Sequence, residues 1–96
     1  MEIRKKVEGS KLTLVPVGRV DTLTAPELEA ALELESVTEL VFDLTELEYI
    51  SSAGLRVLLS AQKAMNKQGK MTLCNVSEVI KDVFDITGFS DILTII

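Results

Sequence analysis

The sequence predicts an α/β fold in a single domain covering residues 1–96, with a mixed, mostly parallel sheet. Three observations carry that prediction. Short apolar runs rich in Val, Ile and Leu alternate with longer stretches of helical period. The junctions are punctuated by Gly, Ser, Thr and Pro. After an opening pair close enough to form a hairpin, the strands are spaced as right-handed crossovers between parallel neighbours require. No linker, repeat or low-complexity segment divides the 96 residues, a length at which one core suffices without covalent staples.

Ile3–Val7 and Leu12–Val17 read as strands, joined through Glu8-Gly9-Ser10-Lys11 by a two-residue turn with Gly first, so they pair antiparallel. Pro16 has no N–H for a ladder, which places this part of the strand at an edge or bulge, and Gly18 marks its end. Leu23-Thr24-Ala25-Pro26-Glu27-Leu28 carries helix-start signals: a capping box of Thr24 with Glu27 and a staple of Leu23 on Leu28. A short helix comes next, with Leu28, Ala31 and Leu32 as its apolar stripe.

Leu40–Leu44 is a strand covered on much of both faces, with Asp43 near its carboxyl end. A loop through Glu48–Ser51 leads to the longest helix, Ser52–Gln68, for which Gly69 is the left-handed stop. Met71–Asn75 is a further strand. Ser77 caps a third helix running through Thr87, buried through Val79, Ile80, Val83 and Phe84 and stopped by Gly88. Ile92–Ile96 is a last strand or an apolar tail.

Composition removes several function classes. With no His and Cys74 as the one cysteine, neither a Ser-His-Asp or Cys-His site nor a four-ligand zinc site can be assembled. Lys63, the nearest lysine on the helix after Ser52, stands eleven residues on, about 16 Å along the axis and far beyond a base's reach of about 3 Å. No phosphate-binding glycine motif is present, and Asp21, Asp43, Asp82 and Asp85 have no metal-ligand spacing. The reading is a non-enzyme without cofactor. A net charge of −5 is the wrong sign for a nucleic acid partner. No apolar run approaches the roughly 18 residues needed to span a bilayer, Met1–Val7 lacks a signal-peptide core, and a lone thiol suits a reducing compartment, so the domain is expected in the cytoplasm.

The informative segment is Glu48–Leu55, which enters the longest helix. A serine at a helix start has a plain structural role, satisfying an orphan amide, and the same position accepts a phosphate, because free N–H groups and the positive dipole end meet it. With Ser52 at zero and about 100° per residue, Lys63, Arg56, Lys67 and Ser60 fall between about 20° and 80°, on the serine's own face. Leu55 and Leu59, near 300° and 340°, lie outside a buried arc of about 100° to 240° defined by Ala53, Val57, Leu58, Ala61, Ala64 and Met65. Two exposed leucines flanking a modifiable serine suggest a partner surface.

Gly18-Arg19-Val20-Asp21, Val41-Phe42-Asp43-Leu44, Tyr49-Ile50-Ser51-Ser52-Ala53-Gly54-Leu55 and Val79–Gly88, in this order and register, resemble bacterial anti-sigma-factor antagonists of the STAS domain class over nearly the whole chain. The resemblance implies a single STAS domain with helices mainly on one face of the sheet and no catalytic activity. It also implies a partner that is both anti-sigma factor and serine kinase of the histidine-kinase-like ATPase type, with a phosphatase for reactivation. The family's acceptor serine, two residues before the motif glycine, falls on Ser52. Ser51 stands where the family usually has Asp and becomes a second candidate acceptor, while Ala53 stands where it has Ser or Thr. Asp21 matches the family's Asp in the loop after the second strand; an Asx-turn is its alternative role. With Leu55, Arg56 and Leu59 from the helix-face reading added to Asp21, Ser51 and Ser52 from the resemblance, the expected partner-binding set is Asp21, Ser51, Ser52, Leu55, Arg56 and Leu59. Two other functions fit the resemblance: an interaction module of another assembly, such as a stressosome or a lipid-transport complex, and a small nucleotide-binding regulator.

Overall fold

Two strands joined by a tight turn open the chain, β1 (Glu2–Glu8) and β2 (Lys11–Val20), in the computed structural model, which describes Met1–Ile96. Glu8 pairs with Lys11, leaving Gly9-Ser10 as the two-residue loop, and Gly9 takes φ 61°, the left-handed conformation such a turn needs. The remaining elements are α1 (Ala25–Ala30), β3 (Glu39–Asp43), β4 (Leu47–Ile50), α2 (Ser52–Met65), β5 (Lys70–Cys74) and α3 (Glu78–Thr87), followed by a 3₁₀ turn, Phe89–Asp91.

The sheet runs β1-β2-β3-β5, with β4 also paired to β2, and only the β1–β2 pairing is antiparallel. β2 is therefore a central strand. It pairs with β3 along Lys11–Leu14 and with β4 along Gly18–Val20. Pro16 is not on an edge strand; it sits opposite Ile3 of β1 and, on the other side, in the gap where β3 has left and β4 has not begun. Its missing N–H costs the ladder nothing there. Gly18, at φ 91°, does not end the strand but adjoins a register shift between Gly18 and Arg19, beyond which β2 continues along β4. The stretch expected to be a loop up to Ser51 thus contains a fifth strand, β4.

One face of the sheet carries Leu12, Leu14, Leu40, Phe42, Met71 and Leu73, all at most 2% exposed. These residues join Leu28 of α1, Val57, Leu58, Ala61 and Met65 of α2, and Ile80 and Phe84 of α3 in one cluster, so the helices cover this face. Alternate residues such as Thr13, Val15, Val41 and Thr72 point the other way and are half-buried. No helix is long and apolar enough to cross a membrane.

The helix ends depart from expectation where tertiary contacts intervene. At α1, Thr24 makes no side-chain cap bond, Leu23 is 84% exposed and Glu27 pairs with the Met1 amino group, so neither the Thr24–Glu27 box nor the staple forms. α2 ends at Met65, and Gly69, without a positive φ, is required instead by the close approach of Thr38. On α3, Ser77 accepts from the Ile80 amide and Gly88 stops the helix at φ 81°, but Val79 is 67% exposed, because Ile80 and Phe84 hold the inward face. The C-terminal residues make a single parallel bridge, Ile95 to Leu73, with Leu93 buried beneath it.

Candidate functional site

The carboxyl ends of β2 and β4 lie side by side, and the turn after β2 together with the first turn of α2 after β4 builds the site. The Ser51 amide donates to the Val20 carbonyl at 2.8 Å, which ties the start of α2 to the turn after β2. Gly54 makes this approach close: a Cβ there would stand 2.6 Å from Ile50 Cγ1 and 2.7 Å from Val20 Cγ1. Only a residue without a side chain lets the first turn of α2 settle on the strand ends.

Ser51, not Ser52, is the N-cap. Its backbone is extended and its Oγ accepts from the Gly54 amide at 3.4 Å, whereas Ser52 is the first helical residue, exposed, with no hydrogen bond to its hydroxyl. The two serines therefore divide the roles: one satisfies the helix and the other is free.

Asp21 supplies the other wall. Its Oδ1 accepts from the amides of Leu23 and Thr24, both at 3.0 Å, while its own amide donates to Thr24 Oγ1 at 2.9 Å. This is a reciprocal box of the kind expected at Thr24–Glu27, displaced three residues toward the N-terminus. The Asx-turn role of Asp21 is thus realised, and it orients the turn beside Ser51. The Thr24 amide above all holds the Asp21 carboxyl below its ordinary value; burial opposes it, and the Leu23 amide, the Thr24 hydroxyl and the Arg19 charge add to the lowering. A depressed carboxylate contributes stability that is present above the unfolded-state value near 3.9 and is lost as pH falls through the folded value. Asp21→Asn keeps the acceptor but removes the charge. The melting-temperature gap between wild type and this variant should narrow as pH drops from neutral through the carboxylate range; a gap constant down to strong acid would mean the charge does nothing there.

α2 is rotated relative to expectation. Gly54, Leu55, Val57, Leu58, Ala61, Gln62 and Met65 are buried, an arc of about 140° to 300° measured from Ser52. Leu55, at 5% exposure, belongs to the core and is withdrawn from the partner surface. Leu59 is half-buried, Arg56, Ser60 and Lys63 are exposed on the serine's face, and Lys67, expected on that face too, is exposed in the turn beyond the end of α2. The two leucines should separate in a melt. Leu55→Ala is expected to cost about 2 to 5 kcal/mol as a full core truncation, and Leu59→Ala about 1 kcal/mol; equal losses would contradict this rotation.

Arg56, Ala53 and Val57 of α2 face Thr22, Ala25, Pro26 and Glu29 across a groove of about 300 Å³ between the two helices. Arg19 stacks over the Tyr49 ring at 4.3 Å on the paired strands β2 and β4. Sequence reasoning missed this stack because it missed β4, and the groove because nothing local announces it. Lys63 is held about 16 Å from Ser52 by the helix between them, so this lysine does not serve the hydroxyl as a base. Asp43 is held by Thr45 and Asn75, and Asp85 by Ser90 and Lys81, so neither approaches the Ser52 site. The arrangement presents a hydroxyl, a carboxylate turn and a guanidinium at the start of α2 and the turn after β2.

The STAS domain profile matches residues 2–96. The anti-sigma-B factor antagonist of Listeria monocytogenes is 35% identical over 99 residues, covering 99% of this chain and 86% of that protein. Among solved structures, an anti-sigma factor antagonist from Mycobacterium paratuberculosis superposes with a TM-score of 0.86 at 22% identity, covering 98% of this chain and 83% of that one. The Bacillus cell fate determinant SpoIIAA in its phosphorylated form gives 0.75 at 18% identity, covering 99% and 91%. The two structures share the fold; the profile and the Listeria relative establish kinship, and on them the chain belongs to the STAS-domain family, among the anti-sigma factor antagonists.

Proposed function

We propose that the domain, unmodified, captures an anti-sigma factor that is also a serine kinase of the histidine-kinase-like ATPase type, freeing the sigma factor. Phosphorylation at Ser52 ends the capture and a phosphatase restores it. The observation that carries this is the Ser52 hydroxyl: exposed, without a hydrogen bond, on the first turn of α2 beside the Asp21 turn. Ser51 is the poorer acceptor because its oxygen is engaged with the Gly54 amide. The contact set is Asp21, Ser51, Ser52, Arg56 and Leu59. The solved phosphorylated form of SpoIIAA, a protein of the same fold, supports the reading. The domain itself performs no chemistry; the kinase transfers the γ-phosphoryl group of ATP to Ser52 Oγ, and ADP leaves.

The test is incubation with the anti-sigma kinase of its own cell and ATP, followed by mass spectrometry. One phosphate on a peptide carrying Ser52, lost in Ser52→Ala, is the expected result. Full labelling of Ser52→Ala would refute the assignment, and labelling confined to Ser51 would move it by one residue. Leu59→Ala should weaken kinase binding by about 1 kcal/mol or more, as interface anchors do.

A further inference from the structure

We propose that Arg56 is the internal counter-ion of a phosphate on Ser52, so that modification withdraws this guanidinium from the partner-facing surface. The inference rests on the phosphoacceptor reading above and adds the residue that receives the new charge. Ser52 and Arg56 are both exposed and stand four residues apart on α2, a spacing that brings side chains together on one stripe with Cβ atoms about 5 to 6 Å apart.

Arg56 is free to take that role. None of the seven ion pairs of the molecule uses it, although Glu29 lines the same groove between α1 and α2. The first turn of α2 holds no acidic side chain to compete for it. The other cations are committed or distant. Arg19 is stacked on Tyr49 at 4.3 Å, and Lys63 lies eleven residues along the helix. The nearby carboxylates are Glu29 across the groove and Asp21, the latter engaged by Leu23 and Thr24. A planar guanidinium one turn from a phosphate can donate two parallel N–H groups to its oxygens, a fit a lysine cannot reproduce. Unmodified, the same group is available to a carboxylate of the partner. Phosphorylation therefore acts twice: it adds negative charge and removes a positive contact.

The experiment encodes phosphoserine at position 52 during synthesis and follows its phosphorus resonance by NMR against pH. The second ionisation of phosphoserine lies near pH 6. In R56Q it should rise by about 0.3 to 0.7 pH unit relative to the otherwise native chain, the size expected of an exposed charge pair, with R56K recovering part of the difference. An identical midpoint in R56Q and the native chain would overturn the proposal. So would a melting temperature of unmodified R56Q several degrees below wild type, which would assign the residue to the fold. Because the phosphate is installed without a kinase, a kinase that fails to label Ser52 would sink the phosphoacceptor reading while this titration still measured the pair.

Discussion

Phosphorylated on Ser52, the domain is expected to bind the kinase partner proposed for it about thirtyfold to several thousandfold more weakly than the unmodified domain. The group adds nearly two negative charges to a chain whose net charge is already −5. In the complex those charges would have to be desolvated against a surface that accommodated a neutral hydroxyl, with the half-buried Leu59 further along the same helix. A cost of about 2 to 5 kcal/mol gives the stated range. Calorimetric titration of three forms decides it: unmodified, phosphorylated and Ser52→Ala. Ser52→Ala should bind within a few-fold of wild type, since the hydroxyl has no partner to lose within the domain. A phosphorylated form binding within about threefold of the unmodified one would reject a charge switch at this surface. The melt should separate binding from folding. Ser52 is exposed and sits where free N–H groups point outward, so the phosphate should leave the melting temperature unchanged or raise it slightly.

Local chemistry decides which elements are legible in the sequence. Gly9-Ser10 between two apolar runs specifies the hairpin, and Ser77 and Gly88 bracket α3, because a two-residue loop and a cap each depend on residues within a few positions. β4 is not legible. Its four residues carry Glu48 and Tyr49 exposed in the middle, and it exists as a strand only because β2 continues past the irregularity at Gly18 and offers it a partner. The rotation of α2 escapes for a related reason. Ala53 and Ala64 have the hydropathy of core residues and are half-buried, while Gly54 and Gln62, which hydropathy excludes, are buried. Gly54 is inward because the helix must touch Val20 and Ile50, a long-range demand. Gln62 donates to Asn66 Oδ1 one turn on, leaving its Oε1 without a partner. The candidate site is legible in part. Ser52, Arg56 and Asp21 depend on spacing and turn chemistry, whereas Leu55 depends on the helix rotation and is lost to the core.

The largest stability loss from a single added methyl group is expected at Gly69. This glycine has no positive φ, so alanine is not barred by backbone conformation; the barrier is space. A Cβ at Gly69 would stand 1.9 Å from the Thr38 carbonyl oxygen and 2.6 Å from its carbon. Thr38 cannot retreat cheaply. Its oxygen accepts from the Lys70 amide at 3.0 Å, its amide donates to the Ser10 carbonyl at 2.9 Å and its hydroxyl donates to Ser10 Oγ at 2.8 Å, so it is anchored to both the β1–β2 turn and the start of β5. Gly69 is held from behind as well, its amide donating to the Met65 carbonyl at 2.7 Å. Relief of the clash must therefore move the end of α2 away from β3, at a cost of about 3 kcal/mol or more, the upper range for overpacking. In a domain of this size that lowers the melting temperature by about 12 to 24 °C. Gly9→Ala is the control. Gly9 has φ 61° but no atom within 4 Å of the position a methyl group would take, so its cost is backbone strain alone, about 1 to 2 kcal/mol. Thermal melts of the two variants should rank Gly69→Ala well below Gly9→Ala. The reverse order, or a fall of less than about 5 °C at Gly69, would show that α2 and β3 do not approach each other this closely.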